Sequence, residues 1–256
     1  MVSAADPDVL GVARRAWSRF EPIHDVVYFS PYTKPTTAAL GLRGFWMGYF
    51  AMRVAPLGML GPAAATAVCY GFHLRRVTRA LPDAWSYVDA DGALRVRDEI
   101  ADRSLQELIP HDVDADHVAE AAELAWRAAR AIDLPGRPLG AANAAIARSP
   151  LPRIALWQAT TALREHRGDT HNAVLLANGV APAAAHLIKA GAGEADGETL
   201  RSGRGFDQDE WDEAESHLRE RGVLDVDGRL TSMGRDLHAR IEQETDVQSS
   251  DPRPKR

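Results

Sequence analysis

Proline and glycine cut this chain into stretches, and nearly every stretch between two breaks repeats its apolar residues with the period of an α-helix. Pro7 suits the first turn of a helix over residues 8–20, where Val12, Ala13, Ala16 and Phe20 fall on the helical period. Glu21-Pro22 then opens an irregular aromatic stretch, and Pro31 and Pro35 keep it from forming a long helix. Helices are predicted over 35–52, 62–80, 89–109 and 115–132, with a break at 134–138 and a short segment at 139–147. After Ser149-Pro150-Leu151-Pro152 the pattern predicts a helix over 153–167 closed by Gly168, and another over 170–178 capped by Asp169. Further helices are predicted over 182–190, 197–202, 207–221 and 232–244. The expected fold is mainly α, with an N-terminal helical domain (1–149), a second domain (150–246) and a disordered polar tail (247–256).

The second domain carries a turn signal. Asp227-Gly228 stands between two short apolar runs, directly after the amphipathic helix over 207–221. Such a dipeptide favours a tight hairpin, so the order helix, hairpin, helix predicts a winged helix-turn-helix with a short two-stranded wing. In that arrangement the helix before the wing enters the DNA major groove. Here its first half carries Asp207, Asp209, Glu210, Asp212, Glu213 and Glu215, with no Lys or Arg before Arg219. Carboxylates suit a helix N-terminus through its dipole, but each repels a phosphate. The net charge of -6 points the same way. Arg201, Arg204, Arg219, Arg221 and Arg229 could still touch a phosphate backbone, so a nucleic-acid partner is disfavoured rather than dismissed.

Other classes recede on composition. Cys69 is the single cysteine, which leaves no disulfide framework and no thiolate metal cluster. The polar start at residues 3–8 lacks the order of a signal peptide. The longest apolar region, 44–72, is interrupted by Arg53, Pro56 and Pro62, so no membrane partner is expected and a cytoplasmic location is. No phosphate loop, nucleophile elbow or paired zinc motif is present, and no cofactor or metal is expected.

Two polar concentrations remain. Arg164-Glu165-His166-Arg167-Gly168-Asp169-Thr170-His171 places imidazoles, guanidiniums and carboxylates at a predicted corner between helices. Such a corner could hold an anion or carry a proton, with His166, His171, Glu165 and Asp169 as catalytic candidates and Arg167 as a ligand contact. Equally, it could be a salt-bridged capping corner. A metal set of His166, Asp169 and His171 matches no ligand spacing. The second concentration runs from Leu42 to Arg53, where Arg43, Phe45, Tyr49 and Arg53 surround glycine gaps. Gly44 and Gly48 share a face that would let a helix or a ligand approach closely. His24, Tyr28, Tyr70 and Asn143 complete the set of ligand-binding candidates, each with core packing as the plainer alternative.

The chain resembles an actinobacterial group of helix-turn-helix domain-containing proteins with no agreed activity. The resemblance rests on residues 22–29, 42–51, 80–85, 163–169 and 227–231, and residues 218–224 with 227–231 resemble the end of a MarR-type domain. It implies the fold and little about function. Two functions are therefore carried forward. One is a small-molecule-binding protein, or an enzyme of secondary metabolism, with a polar pocket between its halves. Arg43, Tyr49 and Arg53 would form one wall and residues 165–171 the other. The second is a ligand-responsive, MarR-like transcriptional regulator, compatible with a homodimer.

Overall fold

The computed structural model describes residues 7–250. The polar start at residues 3–6 and the tail at 251–256 lie outside the described residues. Helix α1 (Pro7–Phe29) runs straight through Pro22. Proline has no N–H to give the carbonyl four residues back, but the turns after it are fixed by burial. His24, Val26, Val27 and Tyr28 are buried, and the Trp157 indole donates to the His24 carbonyl at 3.2 Å. The irregular stretch expected there is helix.

The helix expected over 35–52 divides into α2 (Thr33–Ala39) and α3 (Gly44–Val54). Gly41 turns the chain between them at a φ of 87°, and a Cβ there would stand 2.7 Å from the Tyr87 ring. The close approach read from the glycines is real at Gly48, whose Cβ would stand 2.9 Å from Thr37. The stretch 62–80 likewise divides into α4 (Pro62–Val68) and α5 (Leu74–Thr78). The turn between them sinks Cys69 and Phe72 into the core. The chain continues through α6 (Ala90–Leu108), α7 (Ala115–Ala129) and α8 (Pro138–Ala144). Asp89 and Asp114 cap α6 and α7, each accepting from a backbone N–H of the first turn.

Helix α9 (Pro152–Ala177) is the axis of the molecule: α1, α6, α7, α8 and α13 (Ser232–Ser250) all pack on it. At 1.5 Å per residue it is roughly 39 Å long. It passes unbroken through Gly168-Asp169-Thr170, so the expected corner between two helices does not exist. Asp169 is a cap, but for another helix: its carboxylate accepts from the Gly140 N–H at 2.9 Å, in the first turn of α8. Thr170 returns its hydroxyl to the His166 carbonyl at 2.8 Å. Lying in the middle of α9, its backbone N–H needs no cap.

The C-terminal half packs α10 (Pro182–Gly191), α11 (Gly197–Arg204), α12 (Gln208–Glu220) and α13 around Val174, Leu187, Trp211, Leu218 and Leu237. The two-stranded wing does not form, and the described residues contain no β-strand. Between α12 and α13 there is a single antiparallel bridge, Leu224 to Leu230. The Asp225 carboxylate takes the N–H groups of Asp227 and Arg229, both at 2.9 Å, and closes the loop on itself. Leu230 gives its N–H to Gly191 of α10, and α13 begins two residues later, so no ladder has room to grow. Residues 247–250, grouped above with the tail, are the last turn of α13.

Two glycines test the straight α9. A Cβ on Gly140 would stand 2.6 Å from the His166 Cα, so Gly140→Ala pushes α8 off α9 and costs about 1–3 kcal/mol in urea unfolding. A Cβ on Gly168 meets nothing closer than 3.6 Å, so Gly168→Ala is neutral or stabilises by up to about 1 kcal/mol. A loss at Gly168 would instead place a helix end there.

Candidate functional site

Where α9 passes between the two halves, its side chains floor a cleft of about 450 Å³. One wall comes from α1, α3 and the turn after α4, the other from α10, α11 and α13. At the bottom, Glu165 is buried and held in a bidentate pair by Arg53 of α3, with Nε–Oε1 and Nη2–Oε2 both 3.1 Å. Arg53 gives its remaining nitrogen to the Tyr49 hydroxyl at 2.9 Å. Arg164 reaches Glu165 Oε2 at 3.3 Å and also pairs with Glu21 of α1. Burial opposes ionisation of Glu165, but the Arg53 and Arg164 charges overcome it and hold its carboxyl at about 2. It is a carboxylate at neutral pH.

Arg204, in the last turn of α11, extends toward the same floor. Its guanidinium lies over the Phe72 ring at 4.3 Å and hydrogen-bonds the Tyr49 hydroxyl. Burial lowers its pKa, and the neighbouring Arg53 and Arg164 charges push the same way. Higher in the cleft, Arg167 joins Glu242 at 3.0 Å and Asp246 at 2.9 Å, and lies over Trp17. Arg14 of α1 reaches the same two carboxylates. His171 faces the Thr245 hydroxyl at 3.1 Å, and burial lowers its pKa. His186 meets the Gly71 carbonyl at 2.7 Å, and burial takes its pKa to about 4.

The structure thus brings Arg53, Tyr70, Arg167 and His171 onto one cleft, with Tyr49 and Glu165 directly beneath it. The other candidates lie elsewhere. Arg43 lies over the Tyr87 ring at 5.6 Å, at the start of α3. Tyr28 and Phe45 pack against the opposite side of Tyr49 and line a separate cavity of about 360 Å³. His24 is buried on the Thr161 hydroxyl at 3.1 Å, its pKa depressed by burial and by the Arg164 charge. Asn143 is buried, accepting from Arg97 at 3.1 Å and donating to the Leu139 carbonyl at 2.8 Å. His166 lines a third cavity against α1 and α7, its pKa brought to about 4 by burial and the Arg137 charge. His166, Asp169 and His171 therefore contact three different surroundings, and no group of three His, Cys, Asp or Glu that could hold a metal ion occurs among the described residues.

Sequence reasoning passed over Arg204, Arg164 and Glu21 as pocket residues. Their signal was weak: Arg204 read as one of five arginines that could touch a phosphate backbone, and only the crossing of α1 and α9 pairs Glu21 with Arg164. Cys69, with its thiol pushed up by burial, also lines the cleft.

The same crossing of halves fixes the turn between α11 and α12. The turn from α11 to α12 is clamped on α5: the His73 N–H reaches the Arg204 carbonyl at 3.0 Å and Arg75 reaches the Gly205 carbonyl at 3.2 Å. Gly205 has a φ of 89°, and a Cβ on it would stand 2.6 Å from the Arg76 Cβ. The first turn of α12 closes a capping box between Asp207 and Glu210. Arg75 pairs with both carboxylates. His73 accepts the Arg75 N–H on Nδ1, leaving Nε2 to donate to Glu210 at 3.0 Å. Asp209, Asp212 and Glu213 are exposed on the outer face of α12. No single helix among the described residues is long and apolar enough to cross a membrane.

Two titrations follow. Glu165→Gln strands Arg53 and Arg164 over a neutral group and costs about 3–5 kcal/mol at pH 7, read from urea unfolding. The folded carboxyl titrates at about 2 against an ordinary 4.5. Its contribution is complete above pH 4.5 and is lost as pH falls toward 2, and the variant lacks this acid slope. Asp169 moves the other way, from 3.8 to about 7, because burial outweighs the Gly140 and Leu139 amides. Both states are protonated below 3.8; between 3.8 and 7 only the unfolded chain ionises, so stability falls across that window. Asp169→Asn removes the fall, leaving the variant more stable than the parent at pH 8, by a few kcal/mol, and not at pH 4.

A family model described as a helix-turn-helix family matches residues 13–254. No curated protein and no solved structure matches the chain. With the match running across both halves and the α11–α12 pair in place, the chain belongs to this helix-turn-helix family.

Proposed function

We propose that this protein binds an acidic small molecule in the cleft between its halves, and that its helix-turn-helix serves as one wall of that cleft. The observation that carries the reading is that Arg53 and Arg164 meet on the buried carboxylate of Glu165 while Arg204, from a third helix, extends to Tyr49 beside them, at the floor of an open cavity. Arginines are rarely withdrawn from water unless something negative meets them. The volume is within the range of small-ligand pockets, and Tyr70, Phe72 and Leu200 supply apolar wall. Glu165 is occupied on both oxygens, so its role is to hold the arginines in place. Of the four residues read as proton carriers, His171 is the one that lines the cleft. Binding rather than turnover is the function proposed.

A second reading, a DNA-binding regulator answering to the same ligand, is favoured by the family. It asks the exposed face of α12 to meet phosphates with Asp209, Asp212 and Glu213. It also asks the start of that helix to leave Arg75 and His73.

Ligand-observed NMR with a fragment set of matched acidic, neutral and basic members tests the proposal. Acidic members bind and raise the melting temperature, and Leu200→Trp, which fills the cleft from α11, removes their signals. Acidic fragments that still bind Leu200→Trp would move the site elsewhere. In the same buffer at about 50 mM salt, a mixed-sequence duplex gives no anisotropy change up to roughly 10 µM protein, whereas ordinary non-specific binding would show. Saturable duplex binding would favour the regulator.

A further inference from the structure

Resting on the cleft reading above, we infer that its ligand is an apolar monocarboxylate whose carboxylate pairs with Arg204. Six cationic side chains line the cleft: Arg14, Arg53, Arg164, Arg167, Lys189 and Arg204. The carboxylates that line it or pair with these cations are Glu21, Glu165, Glu194, Glu242 and Asp246. Among the described residues, and with the histidines left aside, the cleft is thus one negative charge short. Arg53 has each of its three nitrogens on Glu165 or Tyr49, Arg164 divides its own between Glu21 and Glu165, and Arg14 and Arg167 share Glu242 and Asp246. Among the described residues Arg204 and Lys189 have no carboxylate partner. Lys189 is exposed to solvent. Arg204 is drawn down over Phe72 toward Tyr49, with a guanidinium fork that matches a carboxylate.

The same balance separates a carboxylate from a phosphate ester. A dianion would place a surplus negative charge among Glu21, Glu194 and Glu242; the third cleft histidine, His238, is already engaged by Glu194 at 3.3 Å, and neither His171 nor His186 offsets the surplus. His186 titrates at about 4 and His171 is lowered by burial, so both are neutral at pH 7. Around Arg204 and beyond it the walls are apolar at Tyr70, Phe72, Leu175 and Leu200, which suits a hydrocarbon or ring body.

Isothermal titration of the full chain at pH 7.5 with three probes decides the matter: 4-phenylbutanoate, its neutral amide 4-phenylbutanamide, and phenyl phosphate. The carboxylate binds at least about tenfold more tightly than the other two, as a charge-assisted pair requires. Arg204→Gln loses about tenfold for the carboxylate and changes the amide little, while Arg204→Lys keeps part of the affinity; melting curves confirm that both fold. Amide and carboxylate binding alike in the parent chain would overturn both the inference and the acidic reading of the cleft. Phosphate binding more tightly, or an unaffected Arg204→Gln, would overturn the inference and leave the cleft reading standing. Failure of all three probes to bind would overturn both.

Discussion

The bidentate pair between Arg53 and Glu165 is the constraint around which the molecule is arranged. A carboxylate in the middle of a buried helix is costly unless cations meet it, and Glu165 is met from two directions, by Arg53 of α3 and by its own neighbour Arg164. Arg164 in turn holds Glu21, which ties α1 across α9. For stability alone, apolar residues of similar volume would serve as well or better. What the ion pair provides, and hydrocarbon would not, is a charged floor to a cavity that opens between the halves.

The C-terminal half is joined to this floor. Arg204 enters the cleft from the last turn of α11, and one residue later Gly205 begins the turn that α5 clamps. Any change at the cleft that moves Arg204 is therefore four residues away from the start of α12. In groove-reading proteins that start is the end that meets base edges; here it is engaged by Arg75 and His73. The acidic residues there answer to the helix dipole and to these partners before any outside polyanion.

Much of the helical content was legible in the sequence, because caps and periodicity are local. Asp89 and Asp114 cap the helices they precede, and α10 and α12 begin and end within a residue or so of their signals. The errors came where a distant partner outweighed a local signal. Pro22 and Gly168 read as breaks, yet burial against α9 and continuity of its packing carry both helices through. Asp169 was identified as a cap, but its helix is α8, 29 residues earlier in the chain. Asp227-Gly228 does turn the chain, but the wing failed because Asp225 and Gly191 take the amides that a ladder would need. The site was half visible: Arg53, Arg167 and His171 stood out by their neighbours in sequence, while Arg204 and Glu21 gain meaning only from the crossing of α1, α9 and α11.

The central claim is that negative charge from solution is drawn to the floor of this cleft and not to the face of α12. Crystals soaked in sodium iodide would show it directly through anomalous scattering. The account predicts a strong iodide peak beside Arg204, facing Arg164 and Tyr49 inside the cleft. An empty cleft, with iodides gathered instead on Arg219, Arg221 and Arg229 around the exposed end of α12, would contradict it.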